Sequence, residues 1–370
     1  MTTLVRAPRI VTPDAVLDDG WLLVGDGVVV ARGSGRAPEH ADGPFRVHEV
    51  AGTVVPGFVD LHAHGALGHD FATCSADDAR AVAAHHAARG TTSLVASIAT
   101  GTPEDTVAAL RRLRPLVADG VLAGLHLEGP WLSPARRGAH APTLLHAPGP
   151  AEVGAYLDAA QGALRIVTLA PELPGAPDAV ERLSDAGVIV AIGHTDADAA
   201  TVERAVDAGA RLVTHVFNGM PPLHHRSPGP VGVALTDPRL SVEAIVDGHH
   251  LDPVTVDLVR RSAAGRMVLV SDAMAATGCP DGAYRIAGSD VVVADGVAML
   301  ADGSSLAGST GVVADGFARL LDAGAPLTEA VDASSAHAAA LLGLPVPLAI
   351  GSRADLFVVG VGPLLPEVLA

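Results

Sequence analysis

Two histidines one residue apart follow an apolar run near the start of the chain. Residues 54–59 read VVPGFV, and residues 60–65 read DLHAHG. In an extended strand, side chains two residues apart point to the same side, so His62 and His64 can offer two imidazoles to one metal ion. This spacing predicts a metal site at the end of a strand.

Later apolar runs also end in ionisable residues. Glu128 ends the third run, His194 the fifth, His215 the sixth and Asp272 the eighth. A single histidine there is commonly a hydrogen-bonded structural residue, and a single aspartate is commonly a helix cap. Because the clusters recur at the ends of regularly spaced runs, the pattern favours one shared metal site.

The ligand types indicate which metal chemistry is available. Neutral imidazoles with a carboxylate suit Zn²⁺ or Fe²⁺, and a catalytic site leaves one position for water. Glu128, His194 and His215 complete one such site, while His62 and His64 are candidates for a second, bridged by Glu128. The sequence leaves open which metal binds and whether one or two ions are held.

A metal that lowers the pKa of water needs a base nearby to receive the proton. Asp272, at the end of the last run, is the best candidate for this base. Asp196 and Asp198 begin a helix-like segment, and we interpret them as capping residues. The predicted centre therefore supports hydrolysis.

The elements that must position these residues follow a regular order. Helix-like segments with terminal caps, Pro or Gly fill most gaps between the runs, as in 75–90, 102–120, 196–210 and 252–265. Alternating strands and helices predict a (β/α)8 TIM-like barrel with its chemistry at the carboxyl ends of the strands. The predicted strands are 54–60, 93–99, 121–128, 165–171, 188–194, 211–217, 241–247 and 267–272.

The two ends of the chain have a different pattern. Short alternating runs and an Asp26-Gly27 turn signal occur within residues 1–52, and 352–360 is strand-like. We therefore predict a small β-sandwich domain from 1–52 plus 346–370, and a hydrolase barrel at 53–345. Residues 284–300 are expected to form hairpins and 328–344 a final helix.

Composition limits the function classes. A net charge of −17 over 370 residues argues against a general nucleic-acid binder, and apolar residues at 49% with few aromatics, 3%, suit buried parallel strands. Two cysteines are too few for a disulfide framework, and the sequence contains neither an apolar run of transmembrane length nor a secretory h-region. We expect a soluble cytoplasmic protein without a membrane or nucleic-acid partner.

The motifs closely resemble those of the amidohydrolase superfamily. PGFVDLHAHG at 56–65 is the general signature, and the other motifs resemble the family of N-acetylglucosamine-6-phosphate deacetylases. These are HLEGPWLSPARRGAH (126–140), IGHTDA (192–197), THVFNGMPPLHHR (214–226), VDGHH (246–250), SDAMAATG (271–278) and SLAGS (305–309). The resemblance covers essentially the whole chain.

The resemblance implies a role for individual positions. It places the metal ligands at Glu128, His194 and His215 and the acid/base at Asp272, with His62 and His64 available for a second metal. The implied substrate contacts are His140 with the Ala139 backbone near the acetamide, the Asn218 and Gly219 backbone with Arg226 and His250 at the phosphate, and Leu306, Ala307 and Gly308 over the sugar. Gly219 stands where many relatives have Ala.

The implied reaction is metal-dependent hydrolysis of N-acetyl-D-glucosamine 6-phosphate to D-glucosamine 6-phosphate and acetate. It serves amino-sugar catabolism and cell-wall sugar recycling, and the resemblance also implies a homodimer. Two alternatives are a deacetylase of another N-acetyl amino sugar phosphate and a non-catalytic sugar-phosphate-binding regulator. His126 is a candidate for orienting a ligand, and His225 for a phosphate, partner-subunit or plain surface role.

Overall fold

A computed structural model of the chain describes residues 2–37 and 46–364. The predicted small β domain, 1–52 plus 346–370, therefore lies partly outside the described residues, at 1, 38–45 and 365–370. Within the described residues, one eight-stranded parallel sheet carries the candidate site and a mixed sheet joins the two ends of the chain.

The parallel sheet forms a nearly closed barrel, which confirms the predicted fold class. Its strands pair in chain order, and helices alternate with them in the way that parallel connections require. The strands are Phe58–Ala63, Thr91–Ala99, Gly124–Glu128, Leu164–Leu169, Ile189–Ile192, Leu212–Val213, Ser241–Ile245 and Met267–Val270.

The seam between the first and last barrel strands is closed by individual hydrogen bonds rather than by a continuous ladder of backbone hydrogen bonds. The Asp272 amide donates to the His62 carbonyl at 2.8 Å. The Ser271 hydroxyl donates to Asp60 Oδ2 at 2.5 Å. Asp60 is fully buried, and burial raises its pKa to about 6. The polar ends of the two strands therefore close the barrel beside the candidate site.

The predicted first run, 54–60, was wrong as a single strand. Thr53–Pro56 belongs to the terminal sheet, whereas Phe58–Ala63 is the first barrel strand. Gly57 lies between these two strands, and its amide donates to the backbone carbonyl of Asp355 in the C-terminal segment. A continuous apolar pattern cannot show this change of sheet, because both strands are buried.

Eight helices follow the barrel strands in turn. Capping side chains begin several of them: Ser75 accepts from the Asp78 amide and Asp198 from Thr201, as predicted, and Thr102 accepts from Asp105. Asp196, which was also interpreted as a capping residue, instead pairs with Arg136. The helices are Ala76–Ala87, Pro103–Ala118, Pro150–Ala160, Ala176–Asp185, Ala199–Asp207, Gly229–Thr236, Pro253–Ser262 and Val313–Asp322.

The flanking segments form the other sheets. One seven-stranded sheet contains Thr2–Thr12, Ala15–Gly25, Val28–Ser34, Arg46–Glu49, Thr53–Pro56, Leu356–Val358 and Gly362–Leu364. The expected hairpins form a three-stranded antiparallel sheet, Gly282–Ile286, Ser289–Ala294 and Val297–Leu300. The expected final helix forms in consecutive parts, Leu327–Val331, a π-turn at Asp332–Ala336, and His337–Leu341.

Small aliphatic side chains fill the space between barrel strands and helices. A second buried cluster, which includes Val5, Ile10, Leu22 and Leu356, lies under the terminal sheet. The division of the chain into two domains stays a prediction. Within the described residues, every helix is too short or too polar to cross a membrane.

Candidate metal centre and substrate cavity

Glu128 lies at the centre of the candidate site. It is the last residue of the third barrel strand and is only 4% exposed. Its Oε1 atom lies 3.0 Å from His194 Nε2 and 3.1 Å from His215 Nε2, and these two nitrogens are 3.1 Å apart. We call Glu128, His194 and His215 the first ligand group.

His62, His64 and Asp272 form a second ligand group on the other side of Glu128. The His62 and His64 Nε2 atoms are 3.1 Å apart, as the alternation of a strand predicts. Asp272 Oδ1 lies 3.5 Å from His62 Nε2 and 3.4 Å from His64 Nε2. Glu128 Oε2 lies 3.1 Å from His64 Nε2, so one carboxylate faces both groups.

Three of these residues have backbone conformations that are uncommon outside glycine. The φ angles are +46° at His194, +27° at His215 and +48° at Asp272. Such conformations are costly and concentrate at functional sites. Each residue directs its side chain into the barrel mouth from just beyond a strand end, so the strands before His194 and His215 are shorter than the sequence predicted.

The electrostatics of the cluster fit a metal centre. Burial alone would raise the pKa of Glu128, but the imidazoles of His62, His140 and His194 hold it well below its ordinary value. Burial alone would lower the pKa of His62, but Glu128 and Asp272 raise it well above its ordinary value. Imidazole nitrogens and carboxylate oxygens facing one another in a buried space are the donor set that Zn²⁺ or Fe²⁺ accepts.

The first ligand group is held from outside by loop contacts. His194 Nδ1 lies 2.8 Å from the Arg136 carbonyl oxygen. A carbonyl oxygen accepts the Nδ1 proton, and this bond holds the ring with Nε2 facing Glu128. Glu172 accepts from the Thr195 hydroxyl at 2.5 Å and from the Asp196 amide at 2.6 Å. The chain on both sides of the His194 turn is therefore fixed.

A cavity of about 170 Å³ opens onto both ligand groups. Its lining includes His64, Glu128, His194, His215 and Asp272 from the metal centre. Most of the predicted substrate residues also line it, namely Ala139, His140, Asn218, Gly219, His250, Leu306 and Gly308. His62 is fully buried and is not among the residues that line the cavity.

His140 lines the cavity, and its ring is held by the hydroxyl of Thr100. Its Nδ1 atom is 2.7 Å from Thr100 Oγ1, and its Nε2 atom is 3.3 Å from Glu128 Oε2. A carboxylate only accepts, so the neutral ring that satisfies both contacts accepts the hydroxyl at Nδ1 and donates from Nε2–H. Burial lowers the pKa of His140 to about 4, which keeps the ring neutral near pH 7.

His250 is held at the rim of the cavity by a neighbouring carboxylate. Its Nδ1 atom lies 2.7 Å from Asp247 Oδ2, and Asp247 Oδ1 accepts the His249 and His250 amides at 2.9 Å. Burial opposes ionisation of Asp247, but the contact with His250 holds its pKa below the ordinary value. The bond leaves Nε2 of His250 for a ligand.

The structure does not bring Arg226 or Ala307 into the cavity lining. Arg226 is exposed, and its Nη1 atom lies 2.8 Å from His225 Nε2. Ala307 is buried behind the wall, 1% exposed. A larger hollow of about 690 Å³ lies beside Val313–Asp322 and the terminal sheet, and its described lining includes none of the predicted site residues.

His126 contacts the centre through its ring rather than its nitrogens. Nδ1 lies 2.9 Å from Ser97 Oγ and Nε2 lies 2.8 Å from Thr168 Oγ1. The ring packs edge-on against the His62 ring, with 4.6 Å between the ring centroids. Burial holds its pKa well below the ordinary value. It is therefore an uncharged neighbour of the ligands.

Several residues of the site were missed by sequence reasoning. Glu243, on the seventh strand, lies 3.2 Å from His62 Nδ1, and Thr100 lies beside His140. Ala99, Gly138, Ile286, Ala287 and Ser305 also line the cavity. A glutamate inside the apolar run 241–247 was the one available signal for Glu243. Residues 286–287 come from a hairpin whose docking place the sequence does not show.

The chain is similar to known deacetylases along nearly its full length. The amidohydrolase family matches residues 53–368. A curated N-acetylgalactosamine-6-phosphate deacetylase of Escherichia coli O157:H7 is 36% identical over 348 residues, 93% of this chain and 90% of the relative. An N-acetylglucosamine-6-phosphate deacetylase of Bacillus subtilis is 31% identical over 367 residues, 96% of this chain and 92% of the relative.

Solved structures give the same result. A mutant N-acetyl-D-glucosamine-6-phosphate deacetylase from Mycobacterium smegmatis, in complex with N-acetyl-D-glucosamine-6-phosphate, superposes with a TM-score of 0.92 at 42% identity. The match covers 96% of this chain and 94% of that chain. An N-acetylglucosamine-6-phosphate deacetylase from Thermotoga maritima has a TM-score of 0.86 at 29% identity, covering 99% and 96% of the two chains.

Proposed function

Since the chain belongs to the amidohydrolase family, we propose that it hydrolyses N-acetyl-D-glucosamine 6-phosphate to D-glucosamine 6-phosphate and acetate. The observation that carries this proposal is the composition of one cavity. Most of the candidate metal ligands, the candidate acid/base, the predicted acetamide contacts and the predicted phosphate contacts other than Arg226 line the same space. A regulator that only binds sugar phosphate has no need for the ligand groups and Asp272 in that space.

The chain supplies the groups that an amide hydrolysis requires. Glu128, His194 and His215 would hold a divalent cation, which would act as a Lewis acid toward the acetamide carbonyl and lower the pKa of bound water. Asp272 Oδ1, which faces the cluster, takes a proton from the attacking water. When the C–N bond breaks, Asp272 returns that proton to the amine nitrogen, and acetate leaves.

His140 has a complementary role at the carbonyl oxygen. Its neutral ring has an Nε2–H, 3.3 Å from Glu128 Oε2, that can turn to the carbonyl oxygen of a substrate, while Thr100 holds the other nitrogen. Negative charge develops on the carbonyl oxygen during attack, and a fixed donor stabilises it more strongly in a buried site than in water. We therefore assign His140 to polarising the substrate carbonyl.

The other end of the cavity is assigned to the sugar phosphate. Asn218, Gly219, His250, Leu306 and Gly308 line the cavity. We assign the backbone of Asn218 and Gly219 and the side chain of His250 to the phosphate, and Leu306 and Gly308 to covering the sugar. We assign Arg226 to the phosphate because a guanidinium recognises phosphate well and, within the described residues, it pairs with no carboxylate. Its exposed position requires movement of its loop, or delivery from a second subunit.

An acetate-release assay tests the proposed reaction. The purified protein is supplied with Zn²⁺ or Fe²⁺ and given N-acetyl-D-glucosamine 6-phosphate, and acetate and free amine are measured. We expect both products in equal amounts and their loss after chelation. Absence of acetate with either metal would reject the proposal and favour a binding role.

N-Acetyl-D-galactosamine 6-phosphate is the second candidate substrate. The observation that favours it is the similarity to the E. coli relative named for this activity, which spans 93% of the chain. Comparing kcat/KM for the two phosphorylated sugars and their unphosphorylated forms decides between them. A higher kcat/KM with the galacto sugar would replace the first proposal while leaving the mechanism unchanged.

Three finer assignments accompany the proposal. We propose Zn²⁺ or Fe²⁺ as the metal because of the histidine and carboxylate donors, and elemental analysis of the purified protein tests this. We also propose a homodimer, which light scattering tests. A cytoplasmic location follows from the implied substrate and is tested by fractionation of the source cells.

A further inference from the structure

A carboxylate that the proposed reaction does not use lies beneath the metal centre. Glu243, in the middle of the strand Ser241–Ile245, is fully buried. Its Oε2 atom lies 3.2 Å from His62 Nδ1 and 3.4 Å from the His215 amide, while Oε1 has no hydrogen-bond partner within the described residues. A buried carboxylate is costly unless its bonds are strong, so its contact with His62 needs an explanation.

The contact determines which way the His62 ring faces. A carboxylate accepts, so Nδ1 of His62 carries a proton, and in the neutral ring that a metal ion binds Nε2 has the lone pair. That lone pair faces His64, Asp272 and Glu128, at 3.1, 3.5 and 3.6 Å. The bond to Glu243 therefore directs Nε2 of His62 toward the second ligand group.

The other ligand rings are held differently. His194 is oriented by the Arg136 carbonyl, and the Nδ1 atoms of His64 and His215 are buried without a hydrogen-bond partner within the described residues. His62 is thus the one ligand ring in the described structure whose outer nitrogen contacts a carboxylate. A carboxylate behind a metal-bound imidazole fixes its orientation and makes it a stronger ligand.

We propose that Glu243 is a positioning residue, which holds the His62 ring so that Nε2 faces the other members of the second ligand group. The inference rests on the proposed metal-dependent function and goes beyond it. Glu243 is separated from His62 by 181 positions in sequence, and within the described residues its side chain hydrogen-bonds only to His62 and the His215 amide. It therefore acts through His62.

Metal titration of the stripped protein tests this proposal. Zn²⁺ is added after chelation, and stoichiometry and affinity are measured by calorimetry with elemental analysis. We expect two equivalents for the natural protein. Glu243→Met, which keeps the length of the side chain but removes both oxygens, is expected to weaken the second equivalent about 10- to 100-fold and leave the first unchanged.

Two further variants separate positioning from general damage. Glu243→Gln retains an acceptor oxygen for His62 Nδ1 and is expected to restore most of the second affinity. Thr168→Val is a matched control, since Thr168 is buried at the next layer and bonds His126 and Thr214 rather than a ligand. It should leave both equivalents unchanged.

The outcomes are distinct from those of the activity assay. A second equivalent of unchanged affinity in Glu243→Met, an equal loss of both equivalents, or a single equivalent in the natural protein would each overturn the proposal. If the Met variant fails to fold, Glu243→Gln decides. Its ratio of second-equivalent to first-equivalent affinity is expected to be lower than that of the natural protein by less than tenfold, and a larger fall would overturn the proposal. Two equivalents without acetate release would reject the proposed function and leave the role of Glu243 standing.

Discussion

The two ligand groups share Glu128 but are held by different parts of the molecule. The first group follows the ends of strands three, five and six, and loop contacts fix it, such as the Arg136 carbonyl at His194. The second group spans the seam between the first and last strands, where Asp60 and Glu243 bond the chain from inside the barrel. Apart from the contact of Glu243 with the His215 amide, loops and seam are separate supports, so the two groups are expected to fail separately.

Replacement of the shared carboxylate is the largest test of this comparison. In Glu128→Gln, the uncharged amide cannot bridge two cations, so both equivalents should weaken and acetate release should fall by about 10³-fold or more. Metal titration and the acetate assay measure the two effects. If one equivalent bound normally, Glu128 would belong to a single group.

Replacement of Asp272 tests its proposed acid/base role separately from metal binding by the first ligand group. Asp272→Asn keeps the size of the side chain but removes its proton acceptor, and we expect turnover to fall by about 10²- to 10⁴-fold. The first group should still bind its metal, because its three residues are untouched. Turnover close to that of the natural protein would refute the proposed acid/base role.

The histidine pair tests whether the second group is indispensable. His62→Ala should lose the second equivalent and reduce turnover by about 10-fold, an effect like that of removing a residue that supports a metal ligand. The corresponding change in the first group, His194→Ala, should lose the first equivalent and most of the turnover. Equal losses in the two variants would contradict the separation of the groups.

The sequence was most informative where the chemistry is local. Strand alternation placed His62 and His64 together, and the Ser75 and Asp198 caps and the Pro at the first helical position predicted helix starts, because these signals depend on neighbours a few residues away. The barrel followed from the repeated alternation of strands and helices.

Contacts between distant segments were not predictable in the same way. Glu243 reads as one polar residue in an apolar strand, and only the closed barrel brings it to His62. The change of sheet at Gly57 was also hidden, since buried strands in both sheets have the same pattern. Arg226 matched a phosphate-binding motif, yet the structure leaves it outside the cavity lining, because the motif does not determine the path of an exposed loop.

Gly219 gives the smallest test, confined to the first group. Its φ angle is +63°, and an added Cβ would lie 2.9 Å from His194 Nδ1 and 3.3 Å from the Arg136 carbonyl. Gly219→Ala should therefore cost about 1 kcal/mol of folding free energy, from the left-handed backbone, and weaken the first equivalent slightly by pressing on His194. Chemical denaturation and metal titration measure these effects, with Gly27→Ala as a control, since Gly27 also has a positive φ but no atom near its Cβ position. If the second equivalent weakened as much as the first, the two groups would be coupled through more than Glu128, and the separation of loop and seam supports would be wrong.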